Sequence, residues 1–330
     1  MDRITNMQLN DVQEDRIEKS LRPSKFDEVI GREHEITNLK VMIEAAKKRD
    51  DALDHIIFYG PPGLGKTSIS NVVANEMGVP IHITSGPAIE KQGDLASILT
   101  NIEDKGILFI DEIHRLSKVI EEILYPAMED RAIDIIIGKG PSAKTLRLEL
   151  NRFTLVGATT KMGKLSSPLR DRFGASFRFD FYEFDELAEI IVQKAQILKT
   201  EIDPDSAYLI AERSRRTPRI AIRILKRIRD FADVNNDGII TRDEVVNALK
   251  TLNIDPLGLD YLDQKILHVL VREFDSKPVG LSTIAAAISE EMDTIEDVCE
   301  PFLLQEGLIQ RTSRGRIATE KAIKHLADHY

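Results

Sequence analysis

Gly60, Gly65, Lys66 and Thr67 are spaced for phosphate chemistry within IIFYGPPGLGKTSIS, residues 56–70. They match the pattern G-x-x-x-x-G-K-[ST], whose glycines let the backbone curl and turn its N–H groups onto a polyphosphate. The helix that follows adds a favourable dipole at its N-terminus. Lys66 can reach the β- and γ-phosphates, and the Thr67 hydroxyl can ligate Mg²⁺. A glycine-rich strand-to-helix turn without a ligand is the plain alternative, but the motif is complete and sits between a strand and a helix. A second reactive pair, Asp111-Glu112, ends the apolar run GILFI. Acids at strand ends are common. Behind a phosphate loop they are what an NTPase requires, with Asp111 holding the Mg²⁺ hydration shell and Glu112 polarising the attacking water.

Placing these groups together requires a sheet. The segments 56–59, 79–84, 106–112 and 155–160 read as strands, and 32–48 and 94–102 as helices; Ile36, Leu39, Ile43 and Ala46 recur at helical spacing in the first. Such alternation predicts a parallel, helix-flanked sheet. Residues 133–150 contain two β-rich runs, IDIIIG and TLRLEL, around Gly138-Lys139-Gly140-Pro141, which predicts a hairpin-like insertion. Residues 1 to about 20 read as a solvated arm.

From Phe181-Tyr182 onward the strands stop, and residues to about Leu252 read as helices. The stretch 212–229 is strongly basic, with Ile220, Ile224, Leu225 and Ile228 interleaved at helical spacing, so most of its charge is a solvated helix face. Residues 233–244, DVNNDGIITRDE, fit a calcium-binding loop, with Asp233, Asn235, Asp237, Gly238, Ile240 and Glu244 in register. Such loops work in pairs, however, and Asn, Asp and Gly are what any tight turn selects, so the turn reading is preferred. After a linker at Asp255-Pro256-Leu257-Gly258, three helices are predicted at 259–274, 281–291 and 294–306, the last kinked at Pro301. Strands at 308–311 and 316–319 follow, completing the order of a winged helix. Arg311, Arg314 and Arg316 crowd the wing with no acid among them, which suits phosphate contacts, although winged helices also bind proteins.

Bulk properties set outer limits. The 330 residues, 42% hydrophobic, suffice for two or three domains with cores of their own. No apolar run is long enough to span a bilayer, and the N-terminal residues lack the apolar core of a signal peptide. The single cysteine, Cys299, excludes an intrachain disulfide and a cysteine-based metal cluster. A cytoplasmic location is expected. The net charge of −10 argues against attraction of the whole surface to nucleic acid, while leaving room for a local basic patch.

Taken together, GPPGLGKT, ILFIDEIHRL, YPAMED, TLVGAT and SPLRDRFG resemble the RuvB family of AAA+ ATPases, which drive branch migration of Holliday junctions. The resemblance runs from Leu21 almost to the C-terminus. It implies an α/β fold: a large AAA+ P-loop core with a parallel sheet over 1–182, a small helical lid over 183–253 and a winged-helix DNA-binding domain over 256–330. It also implies that ATP and Mg²⁺ meet Leu21, Arg22, Gly63, Lys66, Thr67, Ser68, Glu129, Asp130, Arg131, Tyr182 and Arg219. Thr159 would sense the γ-phosphate. Arg172, with Arg170 as the rival, would be the arginine finger that reaches a neighbouring subunit's nucleotide. Arg311 and Arg316 would hold duplex DNA. The implied partners are four-way junctions, a RuvA-type junction-recognising protein, a junction resolvase and further copies of the chain in a homo-hexamer, acting in recombination, DNA repair and the SOS response. Three residues depart from the family pattern: Arg32 where it has Gln, Arg131 where it has an aromatic, and Arg216 where it has Gly. The rival readings are a clamp loader or remodeller of the same ATPase class and, from a different class, a calcium-responsive binding protein resting on 233–244.

Overall fold

The computed structural model describes residues 20–137, 144–235 and 238–329. The chain divides at Asp180/Phe181 into two compact units. In the first, α1 (Glu33–Arg49) buries Ile36, Leu39, Ile43 and Ala46, one stripe of the helix, and stops at Asp50 in the left-handed conformation. Then come β1 (Ile56–Tyr59), α2 (Lys66–Met77), β2 (Ile81–Ser85), α3 (Gln92–Thr100), β3 (Gly106–Asp111) and α4 (Lys118–Glu129). A hairpin of β4 (Ala132–Ile137) and β5 (Lys144–Glu149) precedes β6 (Phe153–Thr159), the short α5 (Ser167–Arg170) and β7 (Ala175–Arg178). β2, β3, β6, β1 and β7 form one sheet in that order, and every pairing is parallel. Central strands of such a sheet are covered on both faces, which is why β3 and β6 read as near-continuous apolar runs. Leu95, Leu99, Leu108, Ile110, Leu124 and Leu155 build the core on one face.

β7 was not anticipated from the sequence. Its four residues, ASFR, show no more than one buried position, and only their pairing with β1 makes them a strand. The hairpin is present, from Ala132 opposite Glu149 to Ile137 opposite Lys144. Its expected turn at Gly138-Lys139-Gly140-Pro141, like the N-terminal arm and Asp237, lies outside the described residues.

The second unit begins with α6 (Phe184–Ile197), α7 (Pro204–Glu212), α8 (Pro218–Asn235) and α9 (Arg242–Thr251). This region is not purely helical: β8 (Glu201–Ile202) and β9 (Ile239–Ile240) pair in parallel. The pairing falls within the calcium-loop pattern. Ile240 is buried, Thr241 caps α9 by accepting from the Glu244 amide, and Asp233 pairs with Arg229 at 3.8 Å. The second half of the unit carries α10 (Tyr261–His268), α11 (Leu281–Ile288), α12 (Glu300–Gln305), the antiparallel β10 (Ile309–Thr312) and β11 (Gly315–Ala318), and α13 (Glu320–His329). The predicted helix 294–306 is interrupted by a π-helical turn at Ile295–Cys299, directly before Pro301 in the first turn of α12. Leu267, Leu270, Ile284, Ile295, Phe302 and Leu303 form the winged-helix core. Arg215 joins the two halves of this unit, its guanidinium bound to Asp260 and the fully buried Asp263. No helix among the described residues is long and apolar enough to cross a membrane.

Candidate functional site

β6 lies between β1 and β3, with Tyr59 opposite Thr159 and Ile110 opposite Gly157. The loops that leave β1, β3 and β6 therefore share one edge, the carboxyl end of a parallel sheet, where open α/β folds bind their ligands. The first is the phosphate loop. Gly60, Gly63 and Gly65 have φ of 137°, 80° and 91°. A Cβ on Gly60 would lie 2.2 Å from the Phe179 carbonyl oxygen, so glycine is required there by the backbone beside it. Lys66 is buried, and its Nζ donates to the carbonyls of Gly60 and Pro61 at 2.8 and 2.7 Å, which curls the loop around the ammonium. Thr67 and Ser68 stay partly exposed at the start of α2.

β3 delivers Asp111 and Glu112. Asp111 Oδ1 accepts from the Glu112 amide at 3.0 Å, and Glu112 sits in the left-handed region at φ 48°. That kink turns Glu112 out of the strand direction, where it pairs with Arg115 at 3.2 Å. At the end of β6, Thr159 is buried; its hydroxyl meets His114 Nδ1 at 2.9 Å and accepts from the Lys161 amide. Thr160, one residue on, is partly exposed. Sequence reasoning singled out neither Thr160 nor His114, though both adjoin motifs it used. Among the described residues no three His, Cys, Asp or Glu side chains gather to hold a metal unaided. One hydroxyl and one carboxylate, Thr67 and Asp111, suit Mg²⁺, which keeps several waters and takes further ligands from phosphate.

The remaining residues of the first unit that the family resemblance assigns to the nucleotide are spread more widely. Leu21 is buried and Arg22 exposed at the start of the described chain. At the end of α4, Glu129 pairs with Arg172 at 3.1 Å, Asp130 with Arg147 at 3.1 Å and Arg131 with Asp51 at 3.7 Å. Arg170 bonds within its own turn, to Ser167 Oγ at 3.0 Å. Tyr182 and Arg219 belong to the second unit. Tyr182 is buried and exchanges hydrogen bonds with Arg216, its amide donating to the Arg216 carbonyl while Arg216 Nε donates to the Tyr182 carbonyl. Arg219 is exposed in the first turn of α8.

The three departures from the family pattern share one backbone feature: Arg32, Arg131 and Arg216 all have positive φ, 67°, 54° and 54°. That conformation costs a non-glycine residue roughly 1 kcal/mol or more. Arg32 and Arg216 have contacts that offset it, whereas Arg131 has only the exposed ion pair with Asp51. Arg32 stacks 4.7 Å from the Phe179 ring centroid and donates to the Asp180 carbonyl at 2.5 Å, and Arg216 pairs with Glu183 at 2.6 Å.

On the wing, β10 and β11 bring Arg311 opposite Arg316. No acid stands among the wing arginines in the chain, yet the fold supplies two. Glu300, 1% exposed, bonds both guanidiniums, and Glu296 lies 3.6 and 3.8 Å from them. Arg311 remains 48% exposed, whereas Arg316 is 16% exposed.

The chain matches the family model of the Holliday junction DNA helicase RuvB P-loop domain over residues 21–179, the RuvB AAA lid domain over 182–255 and the RuvB C-terminal winged helix domain over 256–327. Among solved structures it is similar to the Thermotoga maritima RuvB Holliday junction branch migration motor, with 48% identity and a TM-score of 0.85, covering 93% of this chain and 98% of that one. An alanine-to-serine and a proline-to-glycine variant of Thermotoga maritima RuvB each align over the same shares at 49% identity and a TM-score of 0.86.

Proposed function

The chain belongs to the RuvB family of AAA+ proteins, and from that premise we propose that it is the ATP-hydrolysing subunit of a homo-hexameric ring that moves duplex DNA through a four-way junction. It would act in the cytoplasm, in recombination and repair, beside a RuvA-type protein that recognises the junction and a resolvase that cuts it. The observation that carries this reading is the convergence of the phosphate loop, Asp111-Glu112 and Thr159-Thr160 at one edge of the parallel sheet.

Each group then has a task. The loop amides and Lys66 hold the polyphosphate of ATP, with Gly63, Thr67 and Ser68 at its base. Thr67, and Asp111 through water, would hold Mg²⁺, which would neutralise charge on the transferring phosphoryl. Glu112, turned out by its left-handed backbone, orients the attacking water and accepts its proton. Thr159 reads the γ-phosphate from the strand end; its hydroxyl is already shared with His114, which links that reading to the segment carrying Asp111-Glu112. The family resemblance assigns Leu21, Arg22 and Tyr182 to the adenine and Arg219 to the γ-phosphate. Arg172, with Glu129, Asp130 and Arg131, faces the nucleotide of the adjoining subunit. Arg311 and Arg316 take phosphates of the duplex. The test is ATPase activity with linear duplex and with a four-way junction, each with and without a RuvA-type protein. Stimulation greatest with junction and partner together is expected; hydrolysis indifferent to DNA of either shape would overturn the proposal.

A further inference from the structure

We propose that Tyr125 is a positioning residue for Arg172: with Glu129, one helical turn further along α4, it forms the seat that presents the guanidinium at the edge of the subunit. The inference rests on the reading of Arg172 as a finger acting on a neighbour. A long arginine side chain left to itself samples many rotamers, and a charge meant for a transferring phosphoryl is effective only when it is held in place beforehand. Three contacts hold this one. Nη1 donates to the Pro168 carbonyl at 2.7 Å, Nη2 pairs with Glu129 Oε2 at 3.1 Å, and the guanidinium carbon lies 4.6 Å from the centroid of the Tyr125 ring. Stacking on a ring face fixes the guanidinium plane without using its N–H groups. Nε makes no hydrogen bond among the described residues, and the side chain is 22% exposed. Nε is buried, so the donors left for an incoming anion are the second N–H groups of Nη1 and Nη2.

The seat is itself held. The Tyr125 hydroxyl lies 2.9 Å from Ser166 Oγ and 3.4 Å from Oε2 of the buried Glu121. Ser166 is the cap of α5, where it accepts from the Leu169 amide. One phenol therefore ties α4 to the turn that carries Arg172.

Tyr125→Leu removes the ring while leaving an apolar group against the core. It should lower kcat about 10-fold or more, the scale of a misplaced reacting group, and change KM for ATP less than 2-fold. Tyr125→Phe, which keeps the ring, should recover most of the loss. Rings mixed from Tyr125→Leu and Lys66→Ala subunits, verified by native mass spectrometry, should regain activity, because some interfaces pair an intact phosphate loop with an intact finger. Arg172→Ala mixed with Lys66→Ala is the control. If the control pair fails to complement, the trans reading of Arg172 falls. If the control complements but Tyr125→Leu keeps wild-type kcat, or complements no better than either parent, the seat proposal falls. Should Tyr125→Leu fail to bind ATP through misfolding, Glu129→Gln, at an exposed position, reads the same seat. A several-fold loss of kcat with KM for ATP unchanged supports it, while an unchanged kcat, or a loss carried by KM as a direct nucleotide contact would give, overturns it.

Discussion

Replacing Gly60 by alanine should destabilise the first unit far more than the same change at Gly65. At φ 137°, Gly60 occupies a region that side chains rarely adopt, and forcing alanine there costs about 1–3 kcal/mol. The added Cβ would also stand 2.2 Å from the Phe179 carbonyl oxygen and 3.1 Å from its carbon, roughly 1 Å inside ordinary contact. Nothing flexible can give way. Phe179 is buried, its ring packs 5.2 Å from Phe58, and its amide donates to the Tyr59 carbonyl at 2.7 Å. Relieving the clash means giving up that hydrogen bond, worth about 1 kcal/mol, and loosening the ring packing by a similar amount. The sum is about 3–5 kcal/mol. Gly65, at φ 91° with nothing within 4 Å of an added Cβ, carries only the backbone term, about 1–2 kcal/mol. For a unit of this size roughly 2–4 °C of Tm accompanies each kcal/mol, giving about 6–20 °C at Gly60 against about 2–8 °C at Gly65. Because the chain has no tryptophan, circular dichroism is the suitable probe. The transition that ATP or ADP shifts upward in the wild type identifies the nucleotide-binding unit. A Gly60→Ala loss no larger than that of Gly65→Ala would refute the steric argument.

Lys66→Ala should abolish ATP hydrolysis by removing charge from the transferring phosphates, whereas Glu112→Gln should bind ATP normally and stall in assembled rings; a Glu112→Gln protein with a wild-type turnover rate would remove Glu112 from water activation. Arg311→Ala with Arg316→Ala should weaken duplex binding equally across sequences and reduce the salt slope by about one for each phosphate no longer neutralised, read by titration at several salt concentrations. That pair also leaves Glu300 buried without those partners, a penalty of about 3 kcal/mol or more, so adding Glu300→Gln, which removes the charge but leaves a buried amide, should recover part of the melting temperature but not DNA binding. His55 gives the pH dependence. Its Nδ1 accepts from the Leu155 amide at 2.8 Å and Nε2 meets the Met128 carbonyl at 3.2 Å, an arrangement only the neutral ring can make, and burial pushes its pKa below the ordinary imidazole value. Below pH of about 6.5 the unfolded chain takes a proton that the folded chain refuses, so stability is present above that pH and falls by up to about 1.4 kcal/mol per unit beneath it. Urea unfolding at pH 7.5 and 5.5 should show this drop in the wild type and a flatter response in His55→Gln.

The chemistry of this chain was legible wherever it is local. Gly60, Gly65, Lys66 and Thr67 lie within one turn of backbone, so their spacing alone specifies a phosphate cradle, and GILFIDE announces a buried strand that ends in acids. The all-parallel sheet followed from the alternation of strand and helix, and the winged helix from three helices and a hairpin. Features that join distant parts of the chain were not legible. β7 becomes a strand only because β1 offers it an unpaired edge, and β9 only because Glu201–Ile202 lies beside it. The wing arginines read as free of acids because Glu300, 11 residues from Arg311 and 16 from Arg316, reaches them only once α12 is folded against the hairpin. Tyr125 had no role of its own in the sequence beyond its place in YPAMED; the turn after β6 lays Arg172 across its ring. Backbone sign was equally hidden: Arg32, Arg131 and Arg216 stand at positive φ against the local preference, and their contacts come from Asp180, Asp51 and Glu183. A sequence states which groups are present and how near they lie along the chain; only packing decides which of them spend their hydrogen bonds on one another and which keep them for a ligand.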